Sequence, residues 1–367
     1  MCTGLQPKKG LITSKVQRLK SRRLSFGVHL TDFENQANPR LFNLENQTMA
    51  EIGYHASHEQ FKPGELLRYV QMAEQAGFKA VNSSDHFFPW SERQGESGFA
   101  FAWLGAAMQA TSLPFGVVCA PGQRYNPAIV AQAAATLSEM FPARFWVSLG
   151  SGEALNEIIT GEKWPSKIDR NARLLESALI IRSLLDGETV FHKGLVTVEN
   201  AKLYTLPEVK PLLLGAAVSQ ETAGWVGSWA DGLITVSKPI DELTQVVNSF
   251  RENGGEGKPM YLKVQLSYAE NDEEALAGAY DQWRTNVFQG SVLANLRSVE
   301  EFDAAAELVK PEQLFDKVNI SSDLNKHVEW IRQYQALGFE KIILHNVNRN
   351  QEYFIREFGR HVLPLFA

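Results

Sequence analysis

Two rhythms of apolar and polar residues succeed each other from residue 51 onward. Glu51–Ser57, Ala80–Ser83, Phe115–Cys119 and Phe145–Leu149 are short, largely apolar runs, the pattern of strands covered on both faces. Between them the apolar positions take helical spacing. In Pro63–Gly77 these are Leu66, Leu67, Val70, Met72, Ala73 and Ala76, and Gly77 closes the segment. Phe99–Ala110 and Pro127–Met140 follow the same rule, the second with Pro in its first turn. A helix over Asn171–Leu185, stopped at Gly187, leads into an irregular, β-rich stretch, Glu188–Pro207. The alternation then resumes as Leu212–Ala216, Glu221–Trp229, Gly232–Val236, Asp241–Asn253 and Tyr261–Tyr268. Asp272–Phe288 reads as a helix, Leu293–Lys317 as a less regular insertion, and Leu324–Leu337 as a helix feeding the last strand, Lys341–His345. Eight strands alternating with helices predict an α/β fold, a (β/α)8 TIM barrel with insertions. A doubly wound open sheet is the alternative, and no Gly-x-Gly-x-x-Gly follows the first strand to support it.

Composition fits this picture. The 367 residues are 44 % hydrophobic and 10 % aromatic, enough for one large core. A net charge of −6 argues against nucleic acid or an anionic membrane as the partner of the whole chain. No apolar run approaches the ~20 residues that span a bilayer. Cys2 and Cys119 lie far apart and suggest neither a disulfide framework nor a Cys-based metal site, which fits a cytoplasmic protein. Residues 1–48 differ from the rest. Lys8 to Arg23 hold seven Lys or Arg and no acid, with no apolar core of a secretory signal. Residues 1–48 are expected to be a disordered N-terminal extension and 49–367 the barrel domain.

In such a barrel the functional groups belong at the C-terminal ends of the strands. Those positions hold His55 and Ser57, then Asp85, His86 and Trp90, then Cys119 to Arg124, then Ser151, Gly152 and Glu153. Ala216 to Ser219, Ser237 and Lys238, Tyr268, and His345 with Asn346 complete the rim. Ser84-Asp85-His86-Phe87-Phe88-Pro89-Trp90 is the richest stretch: an imidazole can take a proton near neutral pH, a carboxylate can orient it, and an indole can cover a flat ring. It can equally be a capped turn with an anchoring Trp. Glu153, within Gly150-Ser151-Gly152-Glu153, is placed for general acid work or for capping the turn that follows. Lys238 suits an anionic substrate group or a solvated loop. His55 and His58 leave a strand rather than share a helix face, so no metal site is expected. Val117 and Val118, before the constrained loop Pro121 to Pro127, offer a backbone cradle for a flat cofactor.

Five blocks, Tyr54-His55-Ala56-Ser57, Ser84-Asp85-His86-Phe87 with Pro89-Trp90, Arg124-Tyr125-Asn126-Pro127, Gly150-Ser151-Gly152-Glu153-Ala154-Leu155-Asn156-Glu157 and Ala230-Asp231-Gly232, stand in an order that resembles the luciferase-like flavin and F420-dependent oxidoreductases. The resemblance is nearest to the F420-dependent glucose-6-phosphate dehydrogenase group and its non-F420 flavin relatives, and runs from about Ile52 to Leu365. It implies a (β/α)8 barrel, usually a homodimer, that binds FMN or coenzyme F420 at the strand ends and exchanges a hydride with its ring. It further implies His86, Glu153 and Trp90 as catalytic, with His86 accepting the proton of a substrate hydroxyl. Asp85, Val117, Val118, Ser151, Gly152, Ala217 and Ser219 would hold the cofactor, and Lys238 a substrate phosphate.

Where that family usually shows Gly-Gly-Pro after the fifth strand, this chain reads Ala216-Ala217-Val218-Ser219, and two further basic phosphate ligands have no match in Leu293–Lys317. The expected activity is hydride transfer between a small alcohol or sugar-type substrate and the cofactor. The alternatives are an FMN-dependent monooxygenase using dioxygen and a non-catalytic flavin-binding barrel, with a metal-dependent barrel hydrolase more distant.

Overall fold

The computed structural model describes residues 49–367; the expected extension over 1–48 lies outside the described residues. The chain alternates strands and helices from β1 (Glu51–Ala56) through β2 (Val81–Ser84), β3 (Phe115–Cys119) and β4 (Phe145–Leu149). The stretch that reads as irregular is an antiparallel hairpin, β5 (Val190–Lys193) with β6 (Thr197–Ala201). Then come β7 (Leu212–Ala216), β8 (Gly232–Val236), β9 (Met260–Ser267), the two-residue β10 (Asn319–Ile320) and β11 (Lys341–Asn346). All strands but the hairpin pair in parallel, in the order β10-β9-β11-β1-β2-β3-β4-β7-β8, and β8 also bonds β9. That last pairing closes an eight-stranded ring with β10 outside it, the architecture expected from the alternation.

Local chemistry sets the helix ends. Glu65 accepts from the Lys62 N–H at 3.2 Å and Pro63 occupies the first turn, so the first helix, Pro63–Ala76, starts there. It stops at Gly77, whose φ of +103° suits glycine. Helix Lys167–Leu185 begins four residues ahead of the expected Asn171, because Ser166 accepts from the Asp169 N–H at 3.2 Å and so caps it earlier. Helix Asp272–Trp283 is shorter than expected and passes into a 3-10 turn, Arg284–Asn286. The insertion is more ordered than its sequence suggests: Val299–Ala306 is a helix capped by Ser298, and Pro311–Asp316 a 3-10 turn. Val299, Phe302 and Leu314 pack with Trp90 and Trp283 in one buried cluster, so the insertion backs the wall of the site. Among the described residues no helix is long and apolar enough to cross a membrane.

Inside the ring, Ala80, Trp146, Leu214, Ile234, Tyr261 and Ile343 make an apolar floor. Trp146 and Tyr261 meet edge-on across it at 5.3 Å, and Gly116 lies where any Cβ would overlap the indole. Strand side chains alternate between faces, so the residues two positions further on also point inward. These are His55, Asn82, Val118, Ser148, Ala216, Val236, Lys263 and His345: a layer of mixed polar and apolar side chains above an apolar floor, toward the strand C-termini.

Candidate active site

His86 follows β2, and its Nδ1 lies 2.5 Å from the carboxylate of Glu59, which is 1 % exposed. Ser57 donates to the other Glu59 oxygen at 2.8 Å. A carboxylate only accepts, so Nδ1 carries the proton and the imidazole turns Nε2 outward as the free basic nitrogen. Burial opposes charge on His86, but the attraction and hydrogen bond of Glu59, with Glu153 further off, win and raise its pKa above the ordinary 6.5. Burial works against Glu59 as well, and the imidazole outweighs it, holding the carboxyl down at about 2. The linkage signs follow. Glu59 stabilises the fold above its ordinary 4.5, and that contribution fades as pH falls toward 2. The His86 contribution is full below 6.5 and fades as pH rises through its elevated pKa.

Trp90 stands beside this pair. Its ring centroid is 4.6 Å from that of His86, and its indole N–H donates to Glu153 Oε2 at 3.1 Å. Glu153 sits at the N-cap of the short turn Ala154–Glu157 without a side-chain capping bond. Of the two readings open to it from sequence, the structure therefore gives its carboxylate to the pocket. Trp90 packs edge-on against Trp283 at 5.5 Å, and Trp283 against His345 at 4.9 Å. His345 pairs with Gln60 Oε1 at 3.0 Å and lies 4.4 Å from the His55 ring. Burial, followed by the nearby cations, pushes His55 and His345 well below 6.5, so both are neutral. His58 points elsewhere, edge-on to Trp103 at 4.8 Å, so the His55 and His58 rings do not share a site.

The loop carrying His86 is tied on several sides. Phe87 and Phe88 N–H both donate to Asn156 Oδ1 at 2.8 and 3.1 Å, Ser97 donates to the His86 carbonyl at 2.8 Å, and Trp90 N–H to Gln94 at 2.9 Å. Asp85 is paired through one carboxylate oxygen, while its Oδ1 is buried without a partner among the described residues. Its side chain is 0 % exposed and paired with Arg124 at 2.9 Å, while Arg124 also reaches the Asp85 carbonyl at 2.7 Å. The Arg124 backbone N–H donates to one Glu157 oxygen at 2.9 Å and its guanidinium lies 3.6 Å from the other, so this one residue bolts the loops after β2, β3 and β4 together.

The other predicted residues divide. Val118 packs against the barrel floor, whereas Val117 points to the opposite face and can meet a ring only through its backbone. Ser151 accepts from Lys167 Nζ at 2.9 Å, and Gly152 has φ +80° in a space where a Cβ would press on Glu157 and Ala120. Ala217 is buried, and Ser219 caps the following helix, accepting from the Thr222 N–H at 3.2 Å. Lys238 follows β8. It lines a groove of about 220 Å³ with Lys317, Trp330 and Tyr334 and pairs with Glu242 at 3.7 Å. Sequence reasoning passed over Glu59, Asn156 and Trp283. Glu59 follows Ser57 and His58 just beyond β1, so extending the rim by two residues would have found it.

Comparison with known proteins places these features in a family. Residues 46–341 match the family model described as luciferase-like monooxygenase. An F420-dependent glucose-6-phosphate dehydrogenase of Kribbella flavida is 34 % identical over 326 residues, covering 86 % of this chain and 97 % of the relative. Another, from Amycolatopsis mediterranei, is 33 % identical over 328 residues, covering 86 % and 98 %. Among solved structures, an F420-dependent secondary alcohol dehydrogenase in complex with an F420-acetone adduct is 28 % identical with a TM-score of 0.80, covering 87 % of this chain and all of that one.

Proposed function

Since the chain belongs to the luciferase-like monooxygenase family, we propose that it is a flavin- or F420-dependent oxidoreductase that moves a hydride between a small alcohol or sugar-type substrate and the cofactor ring. The observation that carries this reading is the Glu59–His86 pair, which fixes the tautomer and leaves Nε2 facing the pocket beside Trp90 and Glu153. The inner wall fits a flat ring with polar edges. Asn82 Oδ1, Ser148 Oγ, His55 Nδ1 and His345 Nδ1 are buried and without partners among the described residues, above an apolar floor. FMN or F420, when bound, supplies the hydride acceptor. Val118, Ser151, Gly152 and Ala217 are the residues at the strand ends to hold it, with Asp85 held by Arg124 through Oδ2 and its Oδ1 left free.

His86 Nε2 takes the hydroxyl proton as the hydride departs, and Glu59 stabilises the imidazolium that results. Trp90 positions the Glu153 carboxylate and closes one side against water. A base works when neutral, so kcat/KM rises as pH rises through the His86 pKa, which Glu59 holds above 6.5. Glu59→Gln removes the charge that raises it, and the acid limb of the pH profile moves to lower pH. An unshifted limb separates Glu59 from the titration.

The family description favours one further reading, oxygenation with reduced FMN and dioxygen in the same pocket. Anaerobic mixing of the cofactor-loaded protein with alcohols separates the two: bleaching without oxygen supports hydride transfer from the alcohol. Oxygen uptake that requires an external flavin reductase supports oxygenation. A cytoplasmic homodimer completes the proposal, supported by the free buried thiol of Cys119 and by the exposed Phe87, Phe88, Phe99 and Ile129. Lys238 remains a proposed substrate contact only for a ligand long enough to reach its groove.

A further inference from the structure

Lys263 has no part in the chemistry above, yet it stands inside the pocket. Along β9 the inward positions are Tyr261, Lys263, Gln265 and Ser267, alternating with Leu262, Val264 and Leu266. Tyr261 closes the floor against Trp146, and Gln265 reaches the rim, where Ser237 donates to it at 2.9 Å. Lys263 lies between these levels, its Nζ 6.0 Å from the Trp283 ring centroid. Among the described residues its amine has neither an ion-pair partner nor a hydrogen-bond acceptor. The two pocket carboxylates are engaged elsewhere, Glu59 by His86 and Ser57, Glu153 by Trp90. His55 and His345 offer no negative charge. Burial draws the Lys263 pKa down, with Glu59 and Glu153 opposing from a distance. Lys263 is only partly buried and its amine is not closed off from solvent, so the pocket presents a cation that no protein group neutralises. A ligand anion entering the pocket would supply the missing partner.

We propose that Lys263 binds the anionic group, a carboxylate or similar oxyanion, of the substrate, so that the alcohol this chain oxidises or forms also carries an acid group. The inference rests on the oxidoreductase reading above. A charged ring edge of the cofactor is the other source of such an anion, and the test separates the two.

The full chain, first alone and then saturated with FMN or F420, is titrated with acetate and glycolate against chloride at equal ionic strength. Tryptophan fluorescence, to which Trp283 and Trp90 contribute, reports binding to the free protein; the cofactor spectrum reports it in the loaded one. Wild type and Lys263→Arg are expected to bind these anions saturably with the cofactor in place, and Lys263→Met about tenfold or more weakly. Cofactor affinity is expected to be equal in all three, and the melting temperature of Lys263→Met equal or higher. If Lys263→Met does not fold, Lys263→Gln gives the same contrast. Equal anion binding by the neutral variant, or none by wild type, overturns the proposal. Displacement of cofactor by the anions, or a loss of cofactor affinity in Lys263→Met, assigns the charge to the ring and overturns the substrate assignment. Anion binding that depends on Lys263 in a protein that binds neither cofactor supports the anion site and counts against the redox reading alone.

Discussion

Replacing His86 by alanine lowers turnover by ~10²-fold or more, while cofactor affinity stays within several-fold. The two effects part because, in the proposed mechanism, His86 acts on the substrate proton, whereas the ring would rest on the barrel floor and the strand ends. The alanine variant also leaves the Glu59 carboxylate without its imidazole, with only the Ser57 hydroxyl as a side-chain donor. Some stability is lost with it, and the melting temperature must be measured alongside. Exogenous imidazole should restore part of the rate if the loss is one of proton transfer, and would not repair a misfolded loop. Unchanged turnover in a folded His86→Ala protein removes this side chain from the mechanism.

Arg124→Ala is the second large effect, and it falls on stability. The guanidinium is 7 % exposed and neutralises two buried carboxylates, Asp85 at 2.9 Å and Glu157 at 3.6 Å. Removing one partner of a buried ion pair costs about 3–5 kcal/mol, because the remaining charge stays desolvated. Here two carboxylates are left, and burial already raises the Glu157 pKa with Arg124 holding it back. Chemical denaturation should show a loss of that size, reduced when Asp85→Asn is added. Arg124→Lys should recover only part, since an ammonium cannot hold the Asp85 carboxylate and carbonyl with the same fork. A loss under about 1 kcal/mol would mean that the bolt between the three loops contributes little.

Much of this molecule can be read from its sequence, for physical reasons that differ by element. All eight barrel strands lie within a residue or two of the expected positions, because strands covered on both faces are short apolar runs bounded by polar turns. The helix at 167–185 starts earlier than its apolar pattern suggests because its first turns bury Arg170 and Arg173, polar residues that pattern reading assigns to solvent. Arg173 is held by Gln123 at 2.8 Å, a partner fifty residues away. The rim principle brought His86, Trp90 and Glu153 together correctly, since each follows a strand. It could not show that Asp85 turns to Arg124 while Glu59 serves His86, because both carboxylates neighbour a histidine in sequence and only the tertiary pairing distinguishes them. The course of the Lys238 side chain was likewise hidden: it follows β8 and runs toward Glu242 and the groove it shares with Lys317, Trp330 and Tyr334, neighbours that only the fold brings to it. Lys263 was hidden in a strand that reads as core, where only the two-residue period reveals its inward face.

The central claim is that the open end of this barrel holds a flavin-type ring against His86. Fluorescence titration of the full chain with FMN and with F420 tests it most directly. Saturable binding of one of the two rings, at one per chain, is the predicted result, and it should persist in His86→Ala. Binding of neither ring by the folded protein would contradict the account.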